Sequence, residues 1–277
     1  MKTIVANPNV EEFDIKLETY LETTFQLSEA IVCNCDQPRC GAVLGAVARD
    51  ILMRSIVDGQ SVGLSWGRSV AAMVESVPSD DSKKDLTIIA LSGGVGSTQH
   101  NYLGNTLVLK LAERLHAHAL PLEAPAIVQH DEAYTSLVHE PAIARVLKRA
   151  CEVDVAVVGI GVVGIFSTLT TLEYLDPKSV DYLKREGAVG DICSRFYRFD
   201  GDLVQSDIDD RTIGITLTDL KKIPRVIGIG WGMEKVDALL GALRMGVLDV
   251  LVTDRDTAAQ MRDRQNEGQP MRNYVPG

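Results

Sequence analysis

Short apolar segments alternate with amphipathic segments along most of the chain. Residues 85–91 (DLTIIAL) form a largely continuous apolar run, which is typical of a strand covered on both faces in a parallel sheet. The next segment places Leu103, Leu107, Leu111 and Leu115 at four-residue intervals, the spacing of one face of a helix. Repetition of strand and helix predicts an α/β fold with a doubly wound, mostly parallel sheet.

The other predicted elements follow the same alternation, with one exception. Strands are expected at residues 30–33, 61–64, 154–158, 225–229 and 247–252, and helices at residues 10–28, 41–57, 68–77, 103–115, 141–150 and 236–243. Residues 187–204 (GAVGDICSRFYRFDGDLV) instead alternate apolar and polar positions and contain an Asp-Gly pair, which predicts a small antiparallel β insertion. We expect one compact domain over residues 1–260 and a polar tail over residues 261–277.

Composition narrows the class of protein. The chain has 277 residues and a net charge of −10, which argues against its wrapping around nucleic acid, because phosphate neutralisation needs a basic surface. No window approaches the ~18 apolar residues of a membrane span, and no export signal precedes the first predicted element. Five cysteines, an odd number, favour a reducing, cytoplasmic compartment.

Four glycine-rich turns follow predicted strands, at residues 63–69 (GLSWGRS), 92–97 (SGGVGS), 159–164 (GIGVVG) and 228–235 (GIGWGMEK). The carboxyl ends of parallel strands lie at one edge of a sheet, so these turns should converge there. Glycine lets backbone approach a ligand, and helix N-termini offer unpaired N–H groups to an anion. Tight turns need glycine for structural reasons too. The four turns together, with Arg68 and Lys235 in two of them, favour a phosphate-bearing small ligand.

Two of these turns spell motifs of other protein classes. Residues 159–164 match G-x-G-x-x-G, but the run lies past mid-chain, and Pro177 interrupts a region without a clear second strand, so a dinucleotide site is not favoured. Residues 63–67 match the G-x-S-x-G nucleophile elbow around Ser65. No histidine follows residue 139 to complete a hydrolase triad, so a serine esterase is not favoured either.

The cysteines and histidines do not indicate a metal site. Cys33, Cys35 and Cys40 lack C-x-x-C spacing and a second ligand pair, so we interpret them as buried or incidental thiols. Cys151 and Cys193 are interpreted as small apolar core residues. We expect neither a metal nor a cofactor.

Several blocks together resemble the sugar-binding domain of SorC/DeoR-type bacterial transcriptional regulators. The resemblance runs from about residue 17 to residue 259, and its most specific blocks are GAVGDI at residues 187–192 and LVTDRDTA at residues 251–258. It implies a fold like that of sugar-phosphate isomerases and deaminases. It also implies a phosphorylated sugar as inducer or corepressor, and a homo-oligomer, either a dimer or a tetramer.

The resemblance further implies a set of ligand-binding residues. Gly67, Arg68 and Ser69 match a phosphate-binding turn and Trp66 precedes it, while Gly93, Gly94 and Ser97 match a second ligand turn. Asn101 and Asp191 are expected to hydrogen-bond sugar hydroxyls, and Lys235 to pair with phosphate or a carbonyl oxygen. Trp231 stands where the family commonly has glycine, which we expect to narrow the pocket wall.

Members of the family carry a helix-turn-helix domain ahead of this region, which is absent from this chain. Either the chain is a piece of a longer protein or the protein lacks direct DNA readout. Operator DNA is therefore expected as a partner only through such an N-terminal domain. We expect an effector-binding, oligomerising domain without catalytic residues.

Two other functions remain open at this stage. One is a sugar-phosphate isomerase or deaminase of the same fold, for which Asp191, Asp254 and His130 are conceivable acid–base residues, although Asp254 is more simply a helix cap. The other is a structural subunit that pairs without binding a ligand.

Overall fold

The structure, a computed structural model, describes residues 13–94, 104–164 and 167–267. The helices are α1 (Ile15–Phe25), α2 (Gln37–Ser55), α3 (Arg68–Ser76), α4 (Gly104–Arg114), α5 (Asp131–His139), α6 (Pro141–Ala150), α7 (Thr168–Thr171), α8 (Pro177–Arg185), α9 (Asp207–Asp210), α10 (Leu217–Leu220), α11 (Val236–Met245) and α12 (Arg255–Glu267). The strands are β1 (Glu29–Cys33), β2 (Ser61–Leu64), β3 (Thr87–Ala90), β4 (His118–Leu120), β5 (Val155–Gly159), β6 (Gly161–Val162), β7 (Ala188–Ile192), β8 (Arg195–Arg198), β9 (Arg225–Ile229) and β10 (Val250–Asp254).

A seven-stranded parallel sheet forms the centre of the fold, in the order β1-β10-β9-β5-β2-β3-β4. Successive strand residues face opposite sides. Ile88 is buried with residues of α2, α3 and α4, whereas Ile89 is buried on the other face with residues of α1, α11 and α12. Both faces are therefore covered, which explains why the strands contain so few polar residues. The predicted doubly wound α/β fold is confirmed.

A second sheet has three antiparallel strands in the order β6-β7-β8. Strands β7 and β8 are the β insertion predicted over residues 187–204, whereas β6 lies outside that range and was not predicted. Strand β6 begins two residues after β5 ends, so Ile160 leads directly from the large sheet into the small one. Strands β7 and β8 are joined by a tight turn at Cys193 and Ser194, whose φ angles of 54° and 63° are both left-handed. The small sheet packs on α7, α8 and α9 through a separate apolar cluster that includes Leu183 and Phe196.

The chain changes direction across the sheet between β2 and β5. From β2 it continues to β3 and β4 at one edge, whereas from β5 it continues to β9 and β10 towards the other edge. Because the two connections diverge, a crevice opens beyond the carboxyl ends of β2 and β5. Open α/β sheets bind their ligands at such a crevice.

Several boundaries differ from those that the sequence predicted. Helix α12 continues to Glu267 and buries Met261, so the packed body extends beyond residue 260, where we expected a polar tail to begin. Helix α5 was not predicted, because none of its residues is fully buried and its apolar stripe is weak. His118 begins the short edge strand β4. Within the described residues, no helix is both long and apolar enough to cross a membrane.

The cysteines also depart from expectation. Cys35 and Cys40 form a disulfide with their Cα atoms 5.2 Å apart, so the interpretation of both as unpaired thiols was wrong. The chain turns between β1 and α2 there, which brings together two residues that sequence spacing alone left unpaired. Cys33 and Cys193 are buried thiols, whereas Cys151 is exposed and not a core residue. No cluster of three or more potential metal ligands occurs among the described residues.

Candidate functional site

A cleft of about 610 Å3, counting the part open to solvent, lies at the crevice between β2 and β5. Its lining comes from the β2–α3 turn, from the end of β5 and the start of β6, from the first residues of α7, from the small sheet, and from Lys235 after β9. The cleft therefore collects residues from segments that are far apart in sequence.

The structure brings six of the ten predicted site residues together in this cleft. These are Trp66, Gly67, Arg68, Ser69, Asp191 and Lys235. Gly93 and Gly94 follow β3 and do not line the cleft; their N–H groups donate to backbone oxygens of Ile213 and Ala124 at 2.9 and 2.8 Å. Ser97 and Asn101 lie outside the described residues.

Gly93 is explained by packing. A Cβ at this position would lie 2.3 Å from the carbonyl oxygen of Pro125, so a larger residue would push two backbone segments apart. At Gly94 the nearest atom of the described residues to such a Cβ is 4.0 Å away, so none of these residues requires glycine there.

The first turn of α3 faces the cleft with its backbone N–H groups available. Gly67 precedes the helix with a φ of 125°, a conformation that side chains rarely adopt, and no described side chain caps the helix. The unpaired amides of a helix N-terminus carry partial positive charge. Arg68 is exposed at this turn and Ser69 is buried. The arrangement can hold an anion.

Lys235 supplies a second cation to the cleft. It ends the short 3-10 turn Met233–Lys235 ahead of α11, and its Nζ donates to the carbonyl oxygen of Ile160 at 2.7 Å. Burial, followed by the positive charge of Arg68, lowers the pKa of Lys235 from 10.5 to about 8. An amine with such a pKa is mostly protonated at neutral pH, and a bound negative charge favours its protonated form further.

Asp191 on β7 is the acidic group of the cleft. It is 7% exposed, and its Oδ2 accepts a hydrogen bond from the Ser194 N–H at 3.2 Å. Burial raises the pKa of Asp191 to about 6, against the opposing effects of the Ser194 amide and the Lys235 charge. With Arg68 and Lys235 opposite one carboxyl group, the cleft favours anions near neutral pH.

Ser65, the residue of the G-x-S-x-G motif, has a structural role. It is buried, and its Oγ accepts a hydrogen bond from the Gly159 N–H at 3.0 Å, which ties the end of β2 to the end of β5. The glycine run at residues 159–164 leads into β6 and not into a helix. It therefore lacks the strand–turn–helix context of a dinucleotide fingerprint.

The sequence analysis missed several lining residues. Ile160 and Gly161 line the cleft beside Lys235 and Asp191, and their position at the end of β5 was a usable signal. Cys193 also lines it, but burial raises the pKa of its thiol to about 12, so it stays protonated and unreactive at neutral pH. Trp231, which was expected to narrow the pocket wall, is not a lining residue; its ring packs beside Gly41 on α2, and the ring centroid lies 5.9 Å from the Nζ of Lys235.

The other acid–base candidates do not reach the cleft. His130 is exposed ahead of α5. Asp254 is buried, where Oδ1 accepts from the Thr257 N–H at 3.0 Å and Oδ2 from the Gly232 N–H at 3.3 Å. Asp254 therefore caps α12, as the sequence indicated. No histidine lines the cleft within the described part of the chain.

Comparisons with known proteins agree on one family. A family model described as "Putative sugar-binding domain" matches residues 10–261. The sorbitol operon regulator of Klebsiella pneumoniae is 30% identical over 260 residues, 92% of this chain and 82% of that regulator. The crystal structure of the full-length sorbitol operon regulator SorC from Klebsiella pneumoniae superimposes with a TM-score of 0.85 at 29% identity, covering 94% of this chain and 84% of that one. The structure of a DeoR family transcriptional regulator from Listeria monocytogenes superimposes with a TM-score of 0.82 at 31% identity, covering 92% of this chain and 100% of that one.

Proposed function

The chain belongs to the family of sugar-binding domains found in SorC- and DeoR-type transcriptional regulators, and on this premise we propose that it binds a phosphorylated sugar in the cleft between β2 and β5. The occupied cleft changes how subunits of a homo-oligomer pack. That change is passed to DNA-binding domains of the full-length protein. Operator DNA is contacted through those domains and not through this one.

One observation carries the phosphate part of the proposal. Arg68, Lys235 and the uncapped N-terminus of α3 converge on a single cleft, although they come from different strand ends. Two cations and a set of unpaired amides are what a phosphate group needs as partners. A neutral sugar would leave two cations of the cleft opposite the single carboxylate of Asp191.

The named relatives are regulators, which supports a sensor over an enzyme. Ring opening and enolisation need a positioned general base and acid. His130 and Asp254 lie outside the cleft, and Cys193 stays protonated. Asp191 and Lys235 are the titratable groups that remain beside Arg68 among the described lining residues, so recovery of the bound sugar unchanged is the observation that separates the two functions.

Native mass spectrometry of the purified chain tests the proposal, with sugar phosphates and their unphosphorylated counterparts added separately. We expect at least one sugar phosphate to be retained, the sugar to be recovered unchanged, and the distribution of oligomers to shift. Conversion of the sugar phosphate would favour the isomerase or deaminase. Oligomers without any retained phosphate ester would favour a structural subunit.

A further inference from the structure

The carboxylate of Asp191 occupies space that only a glycine can leave free. Gly161 on β6 pairs with Asp191 on β7, and a Cβ on Gly161 would lie 2.0 Å from Oδ1 of Asp191. Gly161 is not among the residues with positive φ, so its backbone conformation does not demand glycine. The requirement comes from the carboxylate.

The β7–β8 turn holds the same carboxylate from its other side. Cys193 and Ser194 are two consecutive non-glycine residues with left-handed φ angles, at positions where tight hairpins usually place Asn and Gly. The conformation brings the Ser194 N–H to 3.2 Å from Oδ2 of Asp191. Strained backbone of this kind is concentrated at functional sites.

The held carboxylate still has unused acceptor capacity. An ionised carboxylate offers about four acceptor positions, and the Ser194 N–H is the one hydrogen-bond donor recorded for Asp191 in the described part of the chain. Asp191 is 7% exposed and lines the cleft, so a ligand can supply the missing donor. Arg68 and Lys235 already make the cleft cationic, which disfavours a ligand ammonium and favours a neutral hydroxyl.

Building on the proposed function, we propose that Gly161 and the Cys193–Ser194 turn are positioning residues that hold the Asp191 carboxylate to accept a hydrogen bond from a hydroxyl group of the bound sugar. The phosphate of the same ligand is bound by Arg68, Lys235 and α3. Recognition of the sugar therefore depends on Gly161, whereas binding of inorganic phosphate does not.

Calorimetric titration of Gly161→Ala tests this assignment. The probes are inorganic phosphate and whichever of ribose 5-phosphate, fructose 6-phosphate and glucose 6-phosphate binds the unmodified chain most tightly. We expect sugar-phosphate affinity to fall at least about tenfold, as for a lost hydrogen bond to a charged group, and inorganic phosphate affinity to stay within about twofold. Gly164→Ala is the matched control, because a Cβ there meets no described atom within 4 Å.

Asp191→Asn provides a second test that does not depend on how Gly161→Ala folds, since asparagine has the shape of aspartate. It should also weaken sugar-phosphate binding about tenfold and spare inorganic phosphate. In an Asp191→Ala background, Gly161→Ala should cost less than about twofold, because the carboxylate that it displaces is already gone. A merely structural disturbance of the small sheet would instead cost the same in both backgrounds.

The outcomes distinguish a failure of the positioning role from a failure of the proposed function. If no sugar phosphate binds the unmodified chain, the proposed function fails. If a sugar phosphate binds but Gly161→Ala or Asp191→Asn leaves its affinity unchanged, the positioning role alone is overturned. Parallel losses for inorganic phosphate and sugar phosphate, or additive losses in the double variant, overturn it as well.

Discussion

Lys235 donates a hydrogen bond from Nζ to the carbonyl oxygen of Ile160 at 2.7 Å, which links two strand ends across the cleft. Lys235 follows β9, whereas Ile160 joins β5 to β6 and hence the large sheet to the small one. The carbonyl orients the amine without neutralising it. An arriving phosphate therefore meets a cation that is already in place.

Affinity for a sugar phosphate should depend on the protonation of Lys235. Burial and Arg68 lower the pKa of Lys235 to about 8 in the ligand-free chain, and a bound dianion favours the protonated form. The affinity should be constant just above neutral pH and then fall above pH 8, by up to about tenfold per pH unit for one linked proton. Calorimetry at a series of pH values measures this. A Lys235→Met variant that kept the decline would contradict the assignment.

Asp191→Asn should stabilise the ligand-free chain. The pKa of Asp191 in the folded protein is about 6, whereas that of an exposed aspartate is 3.8. Folding therefore takes up a proton between these two values, and stability falls as pH rises through that window. Above this pH window, the buried carboxylate lowers the free energy of unfolding by about 1–3 kcal/mol.

Urea unfolding at pH 7.5 checks this, with the same pair of proteins compared again below pH 3, well under the 3.8 of an exposed aspartate. The variant's advantage in the free energy of unfolding should vanish at the lower pH, where aspartate is protonated in both states. Equal stability at pH 7.5 would mean that Asp191 is solvated in the folded chain.

Substitution by alanine should lower the stability of the fold at Gly93 but not at Gly94. Gly93→Ala would place Cβ 2.3 Å from the Pro125 carbonyl oxygen and should cost about 1–3 kcal/mol of stability through overpacking. At Gly94 the nearest atom in the described part of the chain is 4.0 Å away, so Gly94→Ala should cost little. Thermal unfolding of both variants checks the contrast, and similar losses would argue against the packing explanation for Gly93.

The Cys35–Cys40 disulfide should contribute modestly to stability. It closes a loop over a sequence separation of five residues, for which chain entropy gives about 2 kcal/mol. Cys35→Ser should therefore lower the free energy of unfolding by up to that amount under oxidising conditions and have little effect under reducing ones. Cys151→Ser, at an exposed thiol, is the control. Alkylation of Cys35 and Cys40 in the unreduced, denatured chain would contradict the bridge.

The sequence was sufficient for features that depend on strand polarity. Apolar runs placed the parallel strands, and parallel strands share one carboxyl edge. Strand polarity alone thus assigns the turn at Gly67–Ser69, and Lys235 after β9, to the carboxyl edge of the sheet. The resemblance then added Asp191, which lies in the small sheet and follows no strand of the large one.

Other features depend on contacts that one segment does not reveal. Gly93 is glycine because of Pro125, and Gly161 because of Asp191, and neither neighbour is close in sequence. Trp231 likewise does not line the cleft, because its ring packs beside Gly41 on α2. Helix α5 lacks fully buried residues and so gave no periodic signal. Ser65 resembled a nucleophile because residues 63–67 match G-x-S-x-G. Its Oγ instead accepts a hydrogen bond from the Gly159 N–H and joins two strands.

The most direct measurement is a calorimetric comparison of Lys235→Met with Lys221→Met, titrated with the sugar phosphate that the unmodified chain binds best. Lys221 also donates from Nζ to a backbone carbonyl, that of Met245 at 3.0 Å, but it does not line the cleft. Loss of a hydrogen bond to a charged group predicts about 10- to 100-fold weaker binding for Lys235→Met, with no change for Lys221→Met. Equal affinities for the two variants would contradict the placement of the ligand between β2 and β5.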